Sequence, residues 1–240
     1  MRTKYLDAVI AAGRASRSVA LATELQSGAQ SLLDAGRFEG DLALDDAQRA
    51  AMRDALRSDR NVTLDTAGGR VFVQVFSPPR RCFVIGAVHI AQPLTQMLAL
   101  TDYRAIVIDP RGSFATEARF PGVELTTEWP DEALERLKPD HRSAVVTLTH
   151  DPKLDDPALA VALRSECFYI GALGSKRTHA RRLDRLAELG FGQADFARIH
   201  GPIGLPIGAV SQAEIAISIL AEMTQVLRRG AEQPAKAEAA

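Results

Sequence analysis

From residue 80 onward, short apolar runs rich in β-branched residues alternate with amphipathic segments, and few folds accept that rhythm. Cys82–Val88, Ala105–Ile108, Ala144–Thr149 and Phe168–Gly171 are nearly continuous in apolar character, with a shorter run near Val123-Glu124-Leu125. Strands of that kind are covered on both faces, as in parallel sheets flanked by helices. Helix signals fall between them. Asp156-Pro157 reads as an N-cap followed by Pro at the first helical position. Ser175 opens Lys176–Leu189, which Gly190 stops. Ser211-Gln212-Ala213-Glu214 is a capping box before Ile215, Ile219, Leu220, Met223 and Leu227. Strand–helix alternation with right-handed crossovers predicts an α/β, Rossmann-like parallel sheet with helices on both faces.

The preceding segment has a different texture. Ser18–Leu25 reads as a strand, Ser27-Gly28 as a turn, and Ala29–Leu33 as a second strand. Asp45 or Asp46 caps a helix running to about Ser58. Asn61–Thr66 and Arg70–Phe76 alternate apolar and polar residues around Ala67-Gly68-Gly69, a hairpin signal. Ser77-Pro78-Pro79 serves as a linker. The expected organisation is a small α+β domain over residues 1–79, a Rossmann-like domain over 80–229, and a disordered, polar, Ala-rich tail over 230–240.

Charge and cysteine content narrow the functional classes. With 29 basic and 30 acidic side chains the net charge is −1, so no whole-protein field draws the chain to nucleic acid or an anionic membrane. An anion site must be local. Cys82 and Cys167 are too few for a disulfide framework and sit in or beside buried strands, as inert core residues do. No apolar stretch reaches the ~18 residues of a membrane span. Asp7 interrupts any signal-peptide core. A cytoplasmic protein is the expectation.

Candidate functional residues cluster at strand ends, where open α/β sheets bind ligands. Gly86-Ala87-Val88-His89-Ile90-Ala91 stands beside the dinucleotide fingerprint G-x-G-x-x-G/A, with Val88 where the second glycine lets backbone approach a pyrophosphate. Asp109, 23 residues after Gly86, is placed either to bind a ribose diol or to form a turn before Pro110. His150 and Asp151 follow a wholly apolar strand and read either as site residues or as a turn in which Asp151 bonds nearby backbone.

Gly171-Ala172-Leu173-Gly174-Ser175-Lys176-Arg177-Thr178-His179 is the most informative stretch. A buried strand empties through a glycine-spaced loop into a helix start bearing a hydroxyl and two cations. Exposed N–H groups, the positive dipole end, Lys176 and Arg177 make an anion site there, against a plainly solvated helix start. Arg181, Arg182 and Arg185 continue that helix as a solvated face. His200–Gly208 holds three Gly and two Pro, and its His200 and Gly204 border the same region. No pair among His89, His150 and His200 has the spacing of a metal motif.

Taken in order, VIGAVHIAQPL (84–94), VIDPRGSFATEARFPG (107–122), LTHDPKLDDPAL (148–159), FYIGALGSKRTHARRLDRL (168–186) and IHGPIGLPIGAVSQAEIAISILAE (199–222) resemble the Rossmann half of the XdhC/CoxI family, the xanthine dehydrogenase accessory factors. The resemblance covers about residues 80–228. It implies a dimeric maturation chaperone rather than an enzyme. Such a chaperone binds molybdenum cofactor (molybdopterin, also as a dinucleotide), helps a cysteine desulfurase sulfurate it, and delivers it to an apo molybdenum hydroxylase of xanthine dehydrogenase type. Gly86, His89, Asp109, His150, Asp151, Gly174, Ser175, Lys176, Arg177, His200 and Gly204 are then the cofactor-binding candidates. Two departures stand out. The family's Gly-Gly-Cys segment is replaced by Phe38-Glu39-Gly40-Asp41, with no cysteine before Cys82, and Val88 replaces a glycine. The alternatives are an NAD(P)-dependent Rossmann oxidoreductase, against which no Tyr-x-x-x-Lys pair exists, and a nucleotide-sensing module.

Overall fold

The computed structural model describes residues 2–66 and 68–229. Ala67 of the expected hairpin turn and the expected disordered tail over 230–240 lie outside the described residues. The chain divides into two compact units, one ending at Pro78 and the next beginning at Pro79.

The first unit contains α1 (Thr3–Arg14), β1 (Val19–Glu24), β2 (Gln30–Asp34), β3 (Arg37–Gly40), α2 (Asp46–Ser58), β4 (Val62–Thr66) and β5 (Gly69–Phe76). Its five strands form an antiparallel sheet in the order β3-β2-β1-β5-β4. Asp45 caps α2 by accepting from the Gln48 N–H, and the Gln48 side chain accepts from the Asp45 N–H. Met52 and Ala55 of α2 are buried with Ala20, Leu33, Val71 and Val73 of the sheet. The helix α1 and the edge strand β3 are absent from the sequence reading, because α1 starts without a side-chain cap and only Tyr5 and Ala12 of it are buried.

The Phe38–Gly40 segment lies in β3. A Cβ on Gly40 would fall 2.1 Å from the Gln30 carbonyl oxygen, so this position admits no side chain. Asp41 accepts from the Gln30 N–H at 3.0 Å and pairs with Arg2. These residues hold an edge strand in register.

The second unit runs β6 (Arg80–Ile85), α3 (Ala91–Leu100), β7 (Tyr103–Ile108), β8 (Glu124–Thr126), α4 (Pro130–Leu137), β9 (Ser143–Thr147), α5 (Pro152–Arg164), β10 (Tyr169–Ala172), α6 (Lys176–Glu188), α7 (Gln193–Phe196), β11 (Ile199–His200) and α8 (Gln212–Arg229). All pairings are parallel and the order is β8-β7-β6-β9-β10-β11. That is the doubly wound Rossmann arrangement, with its reversal between β6 and β9. Helices cover both faces: Cys82, Val84, Val107 and Val146 meet α3 and α8, whereas Phe83, Ile85, Val145 and Ile170 meet α4, α5 and α6.

Two helix readings change. Asp156-Pro157 does not start α5. Asp151-Pro152, five residues earlier, does so, with the Asp151 carboxylate accepting from the Lys153 N–H at 3.0 Å. The earlier start wins because it turns Leu154, Asp155 and Asp156 inward with Ala158 and Leu159, and it leaves Pro157 inside the helix. Arg182, expected on a solvated face, is only 2% exposed. It shares a helical face with Leu186, one turn on, which packs into the core. The sixth strand, β11, is too short to register as an apolar run.

Candidate functional site

Geometry at the strand ends begins with Gly86. Its φ is +103°, and a Cβ there would lie 2.5 Å from Thr149 Cγ2. The ends of β6 and β9 therefore close on one another at the topological switch point, and only glycine fits. Val88 packs against the core on the α3 side, and His89 is exposed with no side-chain partner among the described residues.

Asp109 is fully buried and heavily engaged. Its carboxylate accepts from the Ala87 N–H at 2.8 Å, the Arg111 N–H at 3.0 Å, and Arg111 Nε and Nη2, both at 2.9 Å. Burial alone would raise its pKa, but the hydrogen bonds from Arg111 and the Ala87 N–H outweigh that and hold it below the ordinary value. The Ala87 carbonyl in turn accepts from Arg119 Nη1 at 2.8 Å. Arg111 and Arg119 both lie over the Phe114 ring. The first strand–helix turn is thus bound by the chain's own side chains, and Asp109 spends its lone pairs holding it.

Across the switch point, the last turn of β9 is organised by a residue the sequence reading passed over. Asp155, 1% exposed, accepts from Thr149 Oγ1 at 2.7 Å and from the His150 N–H at 3.1 Å. His150 is held at φ +62°, in the left-handed region that non-glycine residues rarely adopt. Thr149 Oγ1 accepts from the Asp151 N–H, and Asp151 caps α5. Asp151 therefore builds the turn, and His150 projects from it half out into solvent.

The end of β10 meets this turn. Gly174 has φ +136°, and a Cβ there would lie 3.7 Å from His150 Nδ1 and 3.1 Å from Thr178 Cγ2. Ser175 caps α6 by accepting from the Thr178 N–H at 3.2 Å, and the two hydroxyls lie 3.0 Å apart. No acidic residue stands in the first turn of α6. Lys176 and Arg177 are exposed there, and their side chains have no hydrogen-bonded or ionic partner among the described residues. Two cations beside a positive dipole end repel it, and an anion between them removes the conflict.

Arg182 runs beneath this corner. Its Nη2 donates to the Leu173 carbonyl at 2.9 Å and lies 3.7 Å from Asp155, but Nε and Nη1 are buried without a partner. Burial lowers the pKa of Arg182 and raises that of Asp155, so desolvation outweighs the attraction across this long pair.

The His200–Gly208 segment is clamped on both sides. A Cβ on Gly201 would lie 2.3 Å from His179 Nδ1, and one on Gly204 would lie 2.3 Å from Ser218 Oγ. Ile203 packs on Gly171. Glu222 of α8, another residue missed in the sequence, ties the segment down. It accepts from Tyr169 Oη at 2.6 Å and from the Gly204 N–H at 2.8 Å, with His200 Nδ1 3.4 Å away. The His200 ring stacks on Tyr169 at 4.8 Å. Cys82 and Cys167 are buried, and burial pushes both thiols up. No cluster of three or more metal-ligating side chains occurs among the described residues.

The switch-point architecture, the Gly174–Ser175 helix entry and the clamped proline segment stand together in one unit, and a family model described as the XdhC Rossmann domain matches residues 82–223. The chain belongs to the XdhC family. Among its relatives, a probable xanthine dehydrogenase subunit of Bacillus subtilis is 32% identical over 160 residues, which is 66% of this chain and 46% of that protein. The molybdenum cofactor insertion chaperone PaoD of Escherichia coli is 31% identical over 151 residues, 63% of this chain and 41% of that protein. The chain thus spans under half the length of these two relatives. A crystal structure described as a xanthine dehydrogenase from Bacillus halodurans shares the fold, with a TM-score of 0.76 and 24% identity over 97% of this chain and 70% of that one.

Proposed function

We propose that this XdhC protein is an accessory factor in the maturation of a molybdenum hydroxylase. It holds molybdenum cofactor as cargo and passes it to an apo enzyme of xanthine dehydrogenase type. The observation that carries this reading is the start of α6, where unpaired Lys176 and Arg177 flank a capped, glycine-entered helix N-terminus. Molybdopterin ends in a phosphate, or in a pyrophosphate in its dinucleotide form, and either anion suits that corner. The relatives' names point the same way.

In this reading Ser175, Lys176 and Arg177 contact the phosphate, with Gly174 allowing its approach, while His150 and His89 meet the rest of the ligand and His200, stacked on Tyr169 beside Glu222, borders it. Gly86, Asp109, Asp151 and Gly204 shape the walls, because their polar groups or their lack of a Cβ already serve the fold. With both thiols buried, the chain offers no accessible thiolate to the metal centre. Sulfuration by a cysteine desulfurase would then use no thiol of this chain.

The test is molybdenum content and pterin fluorescence of protein purified from a cofactor-producing host. Bound pterin is expected, with its loss in the Lys176→Ala, Arg177→Ala double variant at unchanged circular dichroism. Pterin-free protein that binds NAD(P)H tightly and turns it over would replace this reading with the oxidoreductase.

A further inference from the structure

Beside the α6 entry, a recess of about 170 Å³ opens between α5 and α6, lined by His150, Asp155, Thr178, Arg181, Arg182 and Arg185, with Pro152 and Asp156 also in its lining. Its donors and acceptors do not balance. Asp155 is engaged by Thr149 Oγ1 and the His150 N–H and lies 3.7 Å from Arg182 Nη2. Asp156 is taken by Arg185, which reaches it with both Nε and Nη2. The donors are left over. Arg182, 2% exposed, keeps Nε and Nη1 without partners, and the Arg181 side chain has no hydrogen-bonded or ionic partner among the described residues. Three arginines against two carboxylates leave one positive charge uncompensated, in a place where burial already depresses the pKa of Arg182.

We infer that this recess is a binding site for a small tetrahedral oxyanion of the phosphate class, separate from the exposed cations at the start of α6. Buried N–H groups of an arginine are rarely left unpaired, and a bidentate contact to an oxyanion is what the guanidinium fork is shaped for. The size agrees. At ~30 Å³ per water the recess holds roughly six waters, room for one phosphate group with a little solvent and too little for a nucleoside. Arg181 supplies the second cation from the rim, and the Thr178 hydroxyl a further polar contact. Lys176 and Arg177 do not line the recess. An oxyanion answers the unpaired donors whatever the cargo, and only His150 is shared between this recess and the proposed cofactor corner.

The experiment is calorimetric titration of the full chain with inorganic phosphate, and separately with ribose 5-phosphate, in a buffer free of sulfate and phosphate. Saturable one-to-one phosphate binding is expected, accompanied by a thermal midpoint that rises with phosphate concentration. Arg181→Ala, a rim change that leaves the core intact, should weaken binding about tenfold or more, as the loss of a charge-assisted contact does. Arg182→Gln should abolish it, and Lys176→Ala with Arg177→Ala should leave it unchanged. Competition by ribose 5-phosphate would mean that the recess accepts the end of a larger ester, and its failure that it accepts the free anion; both agree with the proposal. Absence of phosphate binding up to millimolar concentrations would overturn it, as would binding that Arg181→Ala leaves intact. Pterin content, read separately, reports on the cofactor reading alone.

Discussion

Replacing Asp109 separates two roles that its position allows, ligand and builder. In the structure its carboxylate is fully buried and accepts four hydrogen bonds, one from the Ala87 N–H and three from Arg111. Asp109→Ala leaves the Ala87 N–H without a partner, at about 1–3 kcal/mol. The Arg111 side chain is 40% exposed. Losing its pairing therefore adds only about 1 kcal/mol, because water takes over its donors. The sum, about 2–4 kcal/mol, lowers the midpoint of thermal unfolding by about 4–16 °C in a unit of this size. Asp109→Asn, which keeps one acceptor oxygen, should lose about half as much. Trp129, the sole tryptophan, precedes α4 in the same unit and reports its unfolding by fluorescence. The pH dependence has a definite sign. Because the folded pKa of Asp109 lies below the ordinary value, its contribution is complete above the unfolded pKa of about 3.9 and fades as pH falls through the lower folded pKa. The gap between wild type and Asp109→Ala should stay constant from neutrality to about pH 5 and begin to narrow as pH falls below about 4. A midpoint change under about 2 °C at pH 7 would refute the builder role and restore Asp109 as a free ligand.

Other outcomes can be checked more briefly. Gly204→Ala, at φ +92° with Ser218 Oγ 2.3 Å from the added Cβ, should destabilise by about 1–3 kcal/mol in urea unfolding; a neutral result would mean that the proline segment is not clamped. Asp45→Ala removes the α2 cap and should cost about 1 kcal/mol, seen as a fall in the denaturant midpoint of the first unit. Both cysteines should resist iodoacetamide in the native chain and react on unfolding, since each is buried with its thiol pushed up; prompt labelling of either by mass spectrometry would reopen a thiol role.

Much of this molecule is written in local patterns. Continuous apolar runs at Cys82, Ala105, Ala144 and Phe168 announce strands covered on both faces, and the signals at Asp45, Ser175, Gly190 and Ser211 mark helix ends where the structure has them, because a cap is a contact between residues three apart. The α6 entry was legible for the same reason. The reading failed where a second valid signal lay nearby, as with Asp151-Pro152 against Asp156-Pro157, or where an element such as β11 is made by its neighbours.

What tertiary structure alone decided is where the polar groups go once the strands assemble. Sequence cannot show that Arg182 turns inward beneath the β10 exit, that Asp155 holds the His150 turn, that Glu222 anchors the proline segment from α8, or that Asp109 serves Ala87 and Arg111. Each of these depends on partners brought together by the sheet, and the penalty for burying a charge makes those partners necessary. The order of strands, and with it the meeting of Gly86 and Thr149, follows from long-range packing that no local pattern encodes.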